Sequence, residues 1–134
     1  MLRVVSYCLS AVLGATMLMS PTQTAHAQYR FETEEIALVF CAYARDNETQ
    51  RLQYKLRELR IRMRDVYSSI RCNGASLIQF AMKSNSQDIG SFIARSVTLE
   101  GLRTMDDYRW ARENGYLDTE IGETLKFRFE NDLN

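Results

Sequence analysis

Histidine and proline are nearly absent from this chain, whose only histidine is His26 and whose only proline is Pro21. Both lie within the first 27 residues, which have the pattern of a removable export signal, so the mature chain contains neither. A chain without histidine has no Ser–His or Cys–His nucleophile pair, no His-ligated metal and no c-type haem attachment site. No phosphate-binding glycine loop or metal-ligand motif occurs in the sequence either. We therefore expect no cofactor, no metal site and no catalytic residues.

The first 27 residues have the three parts of a secretory signal peptide. A short basic start at residues 1–3 precedes a mostly apolar run, and Ala25-His26-Ala27 is a small-x-small cleavage site. The alternative is a retained membrane anchor, but a run of about 16 apolar residues is shorter than the roughly 20 that span a bilayer. We expect cleavage before Gln28, a periplasmic location and no membrane span after signal removal. Residues 28–134 are then one small helical domain, with its core at residues 33–94 and a less defined part at residues 95–134.

Signal removal leaves two of the three cysteines, Cys41 and Cys72. In an oxidising compartment, two cysteines predict a disulfide bond, here a structural staple rather than a redox pair. Apolar residues between them favour a different structure, because their alternating spacing of four and three fits one long helix or a coiled coil. The residues in this pattern are Leu52, Leu56, Leu59, Met63, Val66 and Ile70.

The long helix and the disulfide exclude each other. At about 1.5 Å per residue, the helix would place Cys72 roughly 36 Å from the turn near Cys41, whereas a disulfide requires Cα atoms within about 7 Å. We expect the disulfide, and therefore a break in the helix near residues 60–64. Asp65 is then predicted to cap a short helix over residues 66–71.

Capping signals mark further helices. A first helix is predicted over residues 31–45, and Asn47 is placed to cap the second. Asn73-Gly74 indicates a turn or a helix C-cap. Ser76 and Gln79 form a capping-box pattern ahead of an apolar helix, and a second helix follows it to residue 94. Together these segments predict helical hairpins.

The C-terminal part has a mixed pattern. Thr104 is predicted to cap a helix that ends at Asn114-Gly115, although the same dipeptide is also typical of a β-hairpin turn. Alternation over residues 125–129 indicates a strand, for which residues 97–99 are the available partner. The fold class is therefore a mainly α-helical, disulfide-stapled helix-hairpin domain, with a short C-terminal strand pair as an additional expectation.

Two resemblances follow from these motifs. Cys41-Ala42-Tyr43-Ala44, a basic stretch and then Arg71-Cys72-Asn73-Gly74 resemble an uncharacterised family of small exported two-cysteine proteins of Gram-negative bacteria, over about residues 36–93. This resemblance supports export and the disulfide, and it implies no activity and no catalytic residue. The turn and two helices from Asn73 onwards also resemble an ankyrin-type helix hairpin, which we interpret as shared geometry.

Charge is unevenly placed along the chain. Residues 45–71 hold eight basic and four acidic residues, whereas residues 100–134 hold nine acidic and five basic residues. The first segment is either a solvated face, partly neutralised by the acidic tail, or an anion-binding site, because the arginine fork suits carboxylate and phosphate. The candidate anion-binding residues are Arg51, Lys55, Arg60, Arg62 and Arg64.

Two functions of different classes fit the sequence. The first is a non-catalytic interaction or structural module that binds an acidic protein or an anionic envelope component, and not nucleic acid. The alternative is a small carboxylate-dependent hydrolase of the cell envelope, using Glu120 with Glu123 or Asp106 with Asp107. Aromatic residues near the C-terminus either line a groove or, as we expect, close the core; they are Tyr108, Trp110, Tyr116, Phe127 and Phe129.

Overall fold

The computed structural model describes residue 14 and residues 24–131, with side chains from Thr33 onwards in the second range. Over this part the chain is mainly helical, as predicted. Its helices are α1 (Thr24–Asp46), α2 (Thr49–Leu59), α3 (Met63–Val66), a 3₁₀ turn (Tyr67–Ser69), α4 (Leu77–Lys83), α5 (Gln87–Ser96), α6 (Leu99–Thr104), α7 (Asp107–Glu113) and α8 (Glu120–Asn131). The predicted export signal lies almost entirely outside the described residues, and its cleavage site after Ala27 falls within α1.

The hydrophobic core centres on the hairpin of α4 and α5. Helix α1 packs against α4, and α8 packs against α5, so the hairpin lies between the first and the last helix. One continuous cluster of buried side chains runs from Phe40 in α1 to Leu125 in α8. Among the described residues, no helix combines the length and hydrophobicity that crossing a bilayer requires.

The start of α4 has the predicted capping box. The Ser76 hydroxyl accepts a hydrogen bond from the Gln79 backbone N–H, and the Gln79 side chain accepts one from the Ser76 backbone N–H. Just before it, Asn73 and Gly74 both have positive φ and form a tight two-residue turn closed by Cys72 and Ala75. This geometry explains the Asn-Gly pair, since Asn and Gly adopt positive φ at the lowest cost.

Helix α5 is capped by residues from distant parts of the chain. The Asn47 side chain accepts a hydrogen bond from the backbone N–H of Ile89 in the first turn of α5, so the prediction that it caps α2 was wrong. At the other end, Arg128 from α8 donates to the carbonyl oxygens of residues 94, 95 and 97. These long-range caps satisfy backbone groups that α5 cannot satisfy itself.

The predicted C-terminal strand pair was wrong, because the described residues contain no strand. Val97 and Thr98 are the cap residues between α5 and α6, and residues 125–129 lie in the middle of α8. Leu125 is buried and Phe127 is exposed, a difference that by itself would also fit the two alternating faces of a strand. Ile121, Leu125 and Phe129, however, follow one another at the helical spacing of four, and all three contact the core.

The starts of two helices also differ from the prediction. The short helix after the break begins at Met63, so Asp65 lies in its first turn and does not cap it. Asp106, with positive φ, precedes α7, and Thr104 is the last residue of α6. The predicted stop of α7 at Asn114-Gly115 is confirmed.

Candidate functional site

The disulfide fixes the two ends of the segment that carries the basic residues. Cys41 in α1 is bonded to Cys72, with Cα atoms 5.6 Å apart, as the sequence predicted. Cys72 is buried in the core next to the Asn73-Gly74 turn. The chain between the two cysteines therefore cannot continue as one straight helix, and α2 ends at Leu59.

A left-handed residue ends α2 at the predicted break. Arg60 has φ 55°, its N–H bonds to the carbonyl of Arg57, and the N–H of Ile61 bonds to the carbonyl of Leu56. This pair of hydrogen bonds is the Schellman arrangement, which usually places glycine where this chain has Arg60. The extended residue Arg62 then leads into α3.

The bend creates an open groove between α2, α3 and α5, which we name the α2–α5 groove. Its volume is about 520 Å³. Apolar side chains form its floor, namely Leu56, Ile61, Met63 and Phe92. Arginines border it, namely Arg57, Arg62 and Arg64. The arrangement joins apolar surface to guanidinium groups, which suits a ligand that is both anionic and apolar.

Local ion pairs use all four acidic residues of the arginine-rich residues 45–71. Lys55 contacts Glu58 at 2.6 Å, and Arg62 contacts Asp65 at 2.8 Å through a two-pronged hydrogen bond. Arg45 pairs with Asp46, and Arg51 pairs with Glu48. The hydrogen bonds from Arg62 hold the pKa of Asp65 below its ordinary value. All of these acids lie within three residues of their partners.

Within residues 45–71, Arg71 donates to backbone carbonyl oxygens, and three further arginines make no ion pair in the described part of the chain: Arg57, Arg60 and Arg64. All three are exposed and lie within eight consecutive positions at the α2–α3 bend. Arg57 and Arg64 border the α2–α5 groove. The excess positive charge is therefore concentrated at one end of the groove-forming segment.

The structure separates the five candidate anion-binding residues. Arg62 and Arg64 border the α2–α5 groove, and Arg60 lies at the bend without lining it. Arg51 lies on the outer face of α2, and Lys55 borders a different depression between α1 and α2.

Of the residues that line the groove, only Arg62 and Arg64 were candidates from the sequence, and neither Arg57 nor Phe92 was named as a site residue. Arg57 carried a visible signal, since it follows Arg51 and Lys55 on one helix. Phe92 carried none, because only tertiary packing brings α5 to the bend.

A buried polar cluster lies away from the groove. Asp107 at the start of α7 is fully buried and accepts hydrogen bonds from Tyr67 at 2.6 Å, Ser76 at 2.6 Å and Gln79 at 3.1 Å. Burial raises the pKa of Asp107 to about 6, although these hydrogen bonds oppose the shift. Nothing in the sequence distinguished this acid from its exposed neighbours. Its side chain has no access to solvent, and its hydrogen bonds join the start of α7 to the 3₁₀ turn and to the start of α4.

The aromatic residues and the paired acids that the sequence offered as site residues lie at the edge of the core or on the surface. Two stacked aromatic pairs close the core edge, with ring centres 4.9 Å apart for Tyr108–Phe129 and 5.3 Å apart for Trp110–Tyr116. Phe127 is 69% exposed instead. Glu120 and Glu123 border a shallow depression beside it, so the hydrolase alternative stays a prediction. No cluster of three or more potential metal ligands occurs among the described residues.

Comparison with known proteins gave a family match over part of the chain. No curated protein and no solved structure gave a significant match. The model of the family described as "Protein of unknown function (DUF3718)" matches residues 40–104. The matched segment contains both bonded cysteines and every residue of the α2–α5 groove, whereas α7 and α8 lie beyond it. A domain of this uncharacterised family therefore lies at residues 40–104, and its equivalence to the exported two-cysteine family stays a prediction.

Proposed function

We propose that the protein is a non-catalytic interaction module of the periplasm, which binds an anionic partner at the α2–α5 groove. The observation that carries the proposal is the position of Arg57 and Arg64. Neither arginine makes an ion pair in the described part of the chain, and both border an apolar floor. An arginine beside an apolar floor can bind an anionic group through its guanidinium while the floor contacts the apolar part of the same ligand.

The charge pattern within the groove supports an anion over a cation. Of the described residues that line the groove, none is acidic. Arg62 is already held by Asp65, so it orients the bend and contributes less free charge. The guanidinium groups of Arg57 and Arg64 are the strongest available donors for a carboxylate or phosphate group.

Two features support the periplasmic location. The signal-peptide pattern of residues 1–27 predicts export, and the disulfide between Cys41 and Cys72 is typical of an oxidising compartment. The non-catalytic role is supported by the lack of histidine after residue 26 and by the full burial of Asp107.

Elution from a carboxylate-bearing resin tests the proposal. Arg57→Gln combined with Arg64→Gln removes two charges at the groove, while Lys83→Gln combined with Lys126→Gln removes two charges elsewhere. We expect the groove variant to elute at a lower salt concentration than the control variant, despite its equal net charge. Equal elution would show that only net charge matters and would refute an anion site at the groove. Unchanged thermal unfolding of both variants verifies the fold.

A further inference from the structure

A second shallow depression adjoins the α2–α5 groove. It lies across the outer face of α2 and the end of α1, and its lining residues are Tyr43, Gln50, Arg51, Tyr54 and Arg57. Arg57 belongs to both depressions, so the two form one continuous surface that runs from α1 across α2 to α5. We name this continuous surface the α1–α5 face.

The residue types of the α1–α5 face are those of a protein interface. Tyrosine, phenylalanine, methionine and arginine are enriched at such interfaces, and tyrosine and arginine are frequent energetic hot spots. Tyr54 is 64% exposed and flanked by Arg51 and Arg57. Of the described residues that line the two depressions, none is acidic.

The shape of the face favours an extended partner over a small molecule. Small-ligand pockets bury most of the ligand surface. The α2–α5 groove is wide open to solvent, and the adjoining depression is equally shallow. A partner that covers both depressions must therefore be extended, and its outer side stays in contact with solvent.

The mixture of apolar floor and few charges also argues against a membrane surface or a polyanion. Membrane binding through anionic headgroups typically uses about four to eight clustered basic residues. Of the five arginines on or beside this face, Arg51 and Arg62 are paired with acids, so only three unpaired arginines remain, which is fewer than that number. Two of them, Arg57 and Arg64, border a floor that contains Ile61 and Phe92, so the site offers apolar contact beside its charges. A partner that contacts both the arginines and the apolar floor needs an apolar side chain beside its carboxylates.

We infer that the partner is a protein with an exposed acidic segment, which places an apolar side chain on the Ile61–Phe92 floor and carboxylates against Arg57 and Arg64. The same partner extends over Tyr54, so the α1–α5 face is one interface. This inference rests on the proposed function, since it names the class of partner that the anion site accepts.

Selection from a displayed library of random short peptides tests the inference. We expect the mature protein to enrich peptides that combine several acidic residues with an aromatic or large aliphatic residue. Peptides in which that apolar residue is replaced by serine should bind about tenfold more weakly. Tyr54→Ala should weaken binding of the selected peptides several-fold, while Phe127→Ala, at an equally exposed aromatic on α8, should leave it unchanged.

Three results would overturn the inference: no enrichment of acidic–apolar peptides, equal effects of the Tyr54 and Phe127 variants, or stronger binding to phosphatidylglycerol vesicles than to any peptide. If the Arg57/Arg64 variant still differs from its control on the resin, the anion site stands and only the protein partner is refuted. If that difference is also absent, the proposed function fails as well.

Discussion

The carboxylate of Asp107 accepts a 2.6 Å hydrogen bond from the hydroxyl of Tyr67, forty positions earlier in the chain. Tyr67 lies in the 3₁₀ turn that follows the arginine bend, and Asp107 begins α7. The same carboxylate also accepts hydrogen bonds from the Ser76 hydroxyl and the Gln79 amide at the start of α4. One buried acid thus joins three elements that are separated in sequence.

Stability should fall as pH rises through the titration of Asp107. Its pKa is about 6 in the folded protein and about 3.8 unfolded, so the folded state binds more protons between these values. Over the whole titration, from about pH 3 to about pH 7, this one group lowers the free energy of unfolding by about 3 kcal/mol, of which about 2 kcal/mol falls between about pH 4 and about pH 6. Asp107→Asn should remove that slope.

Urea unfolding of the wild type and of Asp107→Asn across this pH range measures the effect. Exposed acids such as Asp46 and Asp65 have lowered pKa values and give the opposite slope, but both proteins contain them. The difference between the two proteins therefore isolates Asp107. Parallel curves would show that Asp107 does not titrate in this range.

The bond between Cys41 and Cys72 should account for a large share of the stability. Closing a loop of this length stabilises a domain by about 4 kcal/mol. Cys41→Ala combined with Cys72→Ala should lower the free energy of unfolding by that order, measured by urea unfolding. Thiol titration of the unreduced, denatured mature protein should find no free thiol, and two free thiols per chain would contradict the structure.

Added methyl groups at Gly90 in α5 and Gly122 in α8 should differ in cost. A Cβ at Gly122 would lie 2.1 Å from the backbone oxygen of Tyr116, whereas at Gly90 it would meet the side chain of Ile121 at 2.2 Å. Side chains adjust more easily than backbone. We expect Gly90→Ala to lower the free energy of unfolding by about 1–3 kcal/mol and Gly122→Ala to cost more.

A double variant tests the reason for the Gly90 effect. Ile121→Val removes the nearest contacting atom, so Gly90→Ala with Ile121→Val should cost less than the two single changes added together. Additive losses, or a smaller loss at Gly122 than at Gly90, would contradict the packing described for this contact. Thermal unfolding of the four variants provides the measurement.

The predicted signal peptide implies where the mature chain begins and in which compartment the protein is found. Expressed in a Gram-negative host, the full chain should be cleaved between Ala27 and Gln28 and should appear in the periplasmic fraction. A chain that starts at Gln28 without a signal should stay in the cytoplasm with reduced cysteines. Intact mass and fractionation measure both, and an uncleaved N-terminus on the exported protein would contradict the prediction.

Local signals carried most of what the sequence could predict about the fold. The Ser76–Gln79 capping box and the Asn73-Gly74 turn depend on residues next to one another, so the pattern is complete in the sequence. The break in α2 followed from a distance argument, because Cys41 and Cys72 cannot meet across a straight helix. None of these inferences needed knowledge of which helices pack together.

The missed features depend on tertiary contacts. Residues 125–129 alternate like a strand, and only the contact with α5 shows that Leu125 and Phe129 share a helical face with Ile121. Asp107 resembles any exposed acid at a helix start until Tyr67 is placed beside it. The α2–α5 groove likewise needs Phe92, which lies on another helix than the arginines that border the groove.

The bond between Cys41 and Cys72 also makes the intervening chain a closed covalent ring. This ring contains α2, α3 and the exposed arginine bend, where a trypsin-like protease would find Arg60, Arg62 and Arg64 accessible. A single cut after Arg60 would produce two fragments that remain joined through sulfur. The two halves of the groove would then belong to different polypeptides, with Arg57 on one and Arg64 on the other, and only a reducing agent would let them separate.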